Sequence, residues 1–172
     1  MAVLESSDLQ HGPIELLVTV DEETGMTGAN ALKPGLLQGD ILINLDSETE
    51  GELYVGCAGG VDTTAKFQYT PVPVEEGDVA IKVSVSGCKG GHSGCDIHLQ
   101  RANANKLLFR FLKDAVANFE ARLATVEGGS LRNAIPREAS AVITVPAEGV
   151  DEVMDLVAEY EDLFVTEYDG VE

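Results

Sequence analysis

The feature that most constrains this chain is a change of hydrophobic period near residue 60. Before it, apolar residues come in short, nearly continuous runs: "PIELLVTV" (Pro13 to Val20) and "DILINLDSE" (Asp40 to Glu48). Such runs suit strands covered on both faces, as in a parallel sheet. Each run closes on carboxylates: Asp21, Glu22 and Glu23 after the first, Asp46 and Glu48 at the end of the second. Between them "TGMTGANALKPG" suits a short helix ended by the turn Lys33-Pro34-Gly35, and "GELYVGCAGG" suits a further brief strand. From Val61 onward the pattern alternates. "TAKFQYT" sets Ala65, Phe67 and Tyr69 on one face, and "VAIKVSV" does the same with Val79, Ile81, Val83 and Val85. Period-two alternation marks strands with one wet face, hence an antiparallel sheet.

Helical spacing then takes over. Leu108, Phe111, Leu112, Ala115 and Phe119 share one stripe of a helix expected over about 102–121. Strand candidates follow at "RLATVE" and "ASAVITV", and a second helix over about 150–164 carries Val153, Met154, Val157 and Tyr160. The order strand, helix, strand, strand, helix is that of β-α-β-β-α-β with one strand still to come. The expected fold class is therefore α/β: residues 1–60 as a partial α/β sheet segment, and residues 61–172 as a ferredoxin-like α+β domain, both incomplete. A chain of this kind reads as a piece of something longer.

Charge narrows the possible partners. Thirty acids against 11 Lys and Arg give a net charge of −19 over 172 residues. Nucleic acid and anionic membrane surfaces would both be repelled. No apolar run approaches the roughly 20 residues of a membrane span, and "MAVLESSDLQ" lacks the basic start and apolar centre of a secretion signal. Three cysteines, Cys57, Cys88 and Cys95, are odd in number and sparse, which points to a reducing cytoplasm.

Four groups of residues could carry chemistry. Glu22 and Glu23 at one strand end, with Asp46 at another, lie where open α/β sheets bind ligands. Neighbours on a strand point to opposite sides, so one carboxylate could hold a divalent cation while the next moves protons. A solvated turn is the alternative, and the spacing alone leaves both open. "SGCKGGHSGCDIH" gathers Cys88, His92, Cys95 and His98, which suggests zinc, but the six residues between the cysteines exceed the usual knuckle spacing. Its glycines suggest instead a flexible loop presenting His92. In "EGGSLRNAIPREA", Asn133 could donate to a carbonyl or carboxylate, or simply cap a turn. Phe109, Phe111 and Phe119 are assigned to core.

Together "VDEETGMTGA", "GDILINLDSE", "GELYVGCAGG", "GGHSGCDIHLQRANANKLL" and "LRNAIPREA" resemble the aminoacyl-histidine (Xaa-His) dipeptidases. These belong to the co-catalytic zinc peptidases, with carnosinases and carboxypeptidase G. The five motifs span nearly the whole chain in the family's order. The resemblance implies Glu22 as general base, Glu23 and Asp46 as ligands of two different zinc ions, His92 as the lid histidine stabilising the oxyanion across a dimer, and Asn133 as a substrate contact. It also implies a small dipeptide substrate, a homodimer through the lid, and a cytoplasmic location. The family's upstream H-x-D motif and late histidine are not in this sequence, so the resemblance implies a central piece with two of five metal ligands. The rival expectation is a non-catalytic lid, dimerisation or binding module whose acids are structural.

Overall fold

The structure, a computed structural model, describes residues 2–47 and 49–172. The chain separates into two compact units, Met1–Ala65 and Lys66–Glu172. In the first, the described residues form three short helices, α1 (Ala2–Glu5), α2 (Glu22–Gly25) and α3 (Thr27–Asn30), and no strand. The strands expected at 13–20, 40–48 and near 51–60 are therefore not formed, and Glu48 lies outside the described residues. The reason is that an apolar run becomes a covered strand only when neighbouring strands complete its ladder and other layers shield its faces. Here Val18, Ile41 and Leu45 are 79%, 84% and 86% exposed.

Unit two carries the antiparallel sheet and the helices. Strand β1 (Asp78–Val85) realises the alternation of "VAIKVSV". After it come β2 (Gly91–His92), α4 (Ala104–Asn118), β3 (Arg122–Gly128), β4 (Ala134–Ile135), β5 (Ala139–Pro146) and α5 (Val150–Glu167). The main sheet has the order β1-β5-β3, both pairs antiparallel. Strand β5 lies between its partners, so β1 and β3 run parallel to each other and α4 crosses from one to the other. This is the split β-α-β arrangement. "TAKFQYT", expected as a further strand, joins no ladder, and Phe67 and Tyr69 are each exposed. An alternating sequence holds a strand only if an edge receives it.

The core forms where the two periods meet. Leu107, Leu108, Phe111, Leu112 and Ala115 line one stripe of α4, and Ala139, Ala141, Ile143 and Val145 line one face of β5. Val153 and Leu156 of α5 close the cluster, with Ile81, Val83 and Val85 of β1 packed against it. The Asn103 side chain accepts from the Lys106 backbone N–H at 3.2 Å, which caps α4 and fixes its start. Tyr160 locks α5 to α4: its hydroxyl donates to Asp114 Oδ2 at 2.5 Å and lies 3.2 Å from the Arg110 carbonyl. Its ring meets Phe111 and Phe164 edge-on.

Candidate functional site

The acids of the first unit sit on a turn. Asp21 has left-handed backbone geometry, φ 62°, at the N-terminus of α2. Its carboxylate accepts from the Thr24 hydroxyl and, at 2.8 Å, from the Thr27 hydroxyl, while its carbonyl accepts from Met26 N–H at 2.7 Å. Gly28 is required because an added Cβ would lie 2.6 Å from the Val20 nitrogen. Asp21 thus builds the turn, and Glu22 and Glu23 form the exposed first turn of α2. They were expected on a strand end, on opposite sides. On a helix, successive residues are instead about 100° apart around the axis. The reason is local: the Asp21–threonine bonds close a turn, and no partner strand competes for the backbone. Asp46 is exposed, its N–H donating to Asn44 Oδ1 at 3.1 Å.

Carboxylates are suitable donors for a divalent cation. However, among the described residues no group of three or more His, Cys, Asp or Glu could hold a metal ion. Glu23 and Asp46 offer the right chemistry in an incomplete number. Among the described residues the Cys88–His98 segment likewise holds no such group; Cys88 is buried and Cys95 exposed. Burial pushes the Cys88 thiol above its ordinary range, with the Glu172 charge adding to the shift.

In the second unit, the backbones of the His92 and Asn133 segments come together, although neither residue lines the cleft beside them. The ribbon β2–β4 pairs Gly91 with Ile135 and His92 with Ala134. Next to this pair the Asn133 carbonyl accepts from Ser93 N–H at 2.8 Å. A cleft of about 510 Å³ lies between the ribbon and the start of α4, lined by Ser93, Asn103, Asn105, Ser130 and Ala134. The Pro136 carbonyl accepts from Ala104 N–H at 3.0 Å and ties the ribbon's second strand to α4.

The loop bearing His92 was expected to be flexible, yet its Gly90 and Gly91 are tightly packed. A Cβ on Gly90 would lie 2.4 Å from Arg137 Cγ; one on Gly91 would lie 2.7 Å from both Asp96 Oδ2 and Arg101 Nη1. Arg101 Nη1 donates to the Gly90 carbonyl at 2.7 Å, and Arg137 Nε to the Cys88 carbonyl at 3.3 Å. Glu172 accepts from Lys89 N–H at 2.5 Å and from Ala102 N–H at 2.7 Å. Glycine serves here to admit side chains close to backbone. Within the turn, His92 N–H donates to Asp96 Oδ2 at 2.8 Å, Asp96 N–H donates to the His92 carbonyl at 2.9 Å, and His92 Nδ1 accepts from Gly94 N–H and Cys95 N–H at 3.0 and 3.1 Å. Sequence reasoning missed Asp96, Arg101, Arg137 and Glu172. An Asp four residues after the histidine of a Gly-rich turn was the one local signal for Asp96.

A second, more apolar cavity of about 540 Å³ is lined by Val83, Cys88, Leu107, Phe111, Val157 and Tyr168.

Known proteins resemble this chain in sequence and fold. The cytosol non-specific dipeptidase of Escherichia coli (strain K12) is 48% identical over 167 residues, which is 97% of this chain and 34% of that protein. The crystal structure of aminoacylhistidine dipeptidase from Vibrio alginolyticus matches with a TM-score of 0.70 and 46% identity, over 97% of this chain and 34% of that one. The chain therefore spans about a third of the length of these relatives. Residues 83–172, which hold the main sheet from Val83 onward, both long helices and the His92–Asn133 ribbon, match the model of the peptidase dimerisation domain. With more than half of its length so matched, the chain belongs to the peptidase dimerisation domain family.

Proposed function

We propose that this chain is the central part of a zinc-dependent dipeptidase that hydrolyses Xaa-His-type dipeptides. In this reading residues 1–60 belong to the catalytic domain and residues 61–172 to its lid. What supports it is the backbone ribbon that joins the His92 and Asn133 segments, in a chain 48% identical to a dipeptidase. The exposed apolar runs at Val18 and Ile41–Leu45 support it too, since a larger domain would cover them.

Glu22 is the general base that takes a proton from the attacking water and returns it to the leaving amine. His92 donates to the oxygen of the tetrahedral intermediate, and Asn133 orients the substrate. Glu23 and Asp46 each contribute a carboxylate to one of two zinc ions, with the remaining ligands lying outside this chain. When bound, the metal supplies Lewis-acid polarisation and an acidified water. A cytosolic location accords with the name of the Escherichia coli relative, and among the described residues no helix is long and apolar enough to cross a membrane. Homodimerisation accords with the matched domain's description. Strand β3 offers an edge for it, with Leu123 and Val126 exposed at 47% and 40%.

The test is made in the complete reading frame. His92→Ala should lower kcat by roughly two to three orders of magnitude, the scale of one oxyanion donor, with zinc content intact. Glu22→Ala should lose turnover while keeping its metal. Mixing the two inactive variants should restore activity if His92 acts across a dimer. Unchanged kcat in both variants would sink the catalytic assignment in favour of a non-catalytic dimerisation module.

A further inference from the structure

We propose that the loop backbone holds the His92 imidazole in a single tautomer, its proton on Nε2, and that Asp96 is the positioning residue maintaining that hold. Two backbone amides, Gly94 N–H and Cys95 N–H, point at Nδ1 from 3.0 and 3.1 Å. A backbone amide nitrogen can only donate, so Nδ1 must present its lone pair to both. A neutral imidazole carries its one proton on the other nitrogen. The ring is therefore a donor through Nε2 and through no other atom. Among the described residues Nε2 has no hydrogen-bond partner, so its proton is free for a ligand.

The convergence of those amides depends on Asp96. Residues 92–96 form a closed ring: His92 N–H donates to Asp96 Oδ2 at 2.8 Å, and Asp96 N–H donates back to the His92 carbonyl at 2.9 Å. The Arg101 guanidinium lies beside the carboxylate, its Nη1 3.8 Å from Oδ2, and donates to the Gly90 carbonyl. Gly91, at φ +146°, lets both side chains approach the backbone where any Cβ would collide with them. Asp96 thus sets the turn, and the turn sets the ring. Asp96 acts only through His92.

The catalytic consequence rests on the oxyanion reading of His92 given above. A donor already in the correct tautomer and direction needs no reorganisation as charge develops on the substrate. The tautomer itself does not depend on that reading, which allows the two to fail separately.

The experiment has a spectroscopic and a kinetic arm. The 172-residue chain is labelled with ring-15N histidine, and two-bond proton–nitrogen correlations are recorded where the imidazoles are neutral. His92→Gln assigns the His92 signals against those of His11 and His98. The expected result is a pure Nε2–H pattern for His92, which Asp96→Ala converts to a mixture of tautomers. Asp96→Asn should keep the pure pattern, because an amide oxygen can also accept from His92 N–H. In the complete protein, Asp96→Ala should lower kcat roughly tenfold to a hundredfold, the scale of a small misplacement. KM and zinc content should stay unchanged, and Asp96→Asn should recover most of the loss. A mixed or Nδ1–H pattern in the unmodified chain overturns the proposal, as does Asp96→Ala with spectrum and kcat unaltered. Should Asp96→Ala fail to fold, the unmodified spectrum and Asp96→Asn decide: a pure pattern in both supports the hold, a mixture in either refutes it. A pure Nε2–H pattern with an unimpaired His92→Ala enzyme would refute the oxyanion reading and leave the tautomer assignment standing.

Discussion

Replacing Gly128 by alanine should destabilise the second unit although it adds a single methyl to an exposed strand end. Gly128 is the last residue of β3 and pairs with Ala139 across the ladder to β5. A Cβ there would lie 2.1 Å from Asn105 Oδ1 and 2.9 Å from Ala139 Cβ. The first clash can be relieved, because the Asn105 amide can rotate toward the neighbouring cleft. The second cannot be relieved by rotation, since a Cβ moves only with its backbone and Ala139 is buried in the core. The strands must part by a large fraction of an ångström at this pair, and such overpacking costs about 1–3 kcal/mol. Urea unfolding followed by far-UV circular dichroism measures the change through α4 and α5; the chain has no tryptophan to serve as a fluorescent reporter. The strain should be specific to the pair. Adding Ala139→Gly to Gly128→Ala should recover stability, although a strand glycine by itself costs roughly 0.5–1 kcal/mol. The resulting coupling in a double-mutant cycle should exceed about 0.5 kcal/mol. A Gly128→Ala chain as stable as the parent, or two substitutions whose costs simply add, would show that the contact does not require glycine.

Three further outcomes are expected. Burial first, then the hydrogen bond to Asp114 and its charge, push the Tyr160 phenol up to about 12 from an ordinary 10. The folded state therefore favours the protonated phenol: this contribution is full below pH 10 and is lost as pH rises from 10 towards 12. Tyr160→Phe should flatten that part of the stability–pH curve, and an unchanged slope would refute the assignment. The 172-residue chain alone should bind zinc weakly and show no dipeptide hydrolysis, because the two ligands proposed in it, Glu23 and Asp46, would leave an ion under-coordinated; metal analysis after gel filtration and a dipeptide assay measure both. The chain should self-associate, with β3 at the contact, and sedimentation showing only monomer at high concentration would count against this.

The second unit was largely legible because its elements rest on local periods. The spacing of Leu108, Phe111, Leu112 and Ala115 specifies a helix whatever lies beside it, and α4 falls within the expected range. The alternation at Val79–Val85 and Ala139–Val145 likewise marks one buried face, and both segments became strands. Family membership was legible for a different reason: the motifs keep their order along the chain, and order needs no folding to be read.

What only the tertiary structure decided is whatever depends on a distant partner. Continuous apolar runs such as Pro13–Val20 suit a covered strand, yet a ladder and cover come from other segments, and among the described residues no strand pairs with this run. Conversely, no local period announced β2 or β4, two residues each, because a ribbon so short exists only through the pairing of His92 with Ala134. The glycines of the His92 loop looked like freedom in the sequence. The side chains of Asp96, Arg101 and Arg137 turn the space they leave into constraint, since a missing Cβ admits whatever the fold brings close.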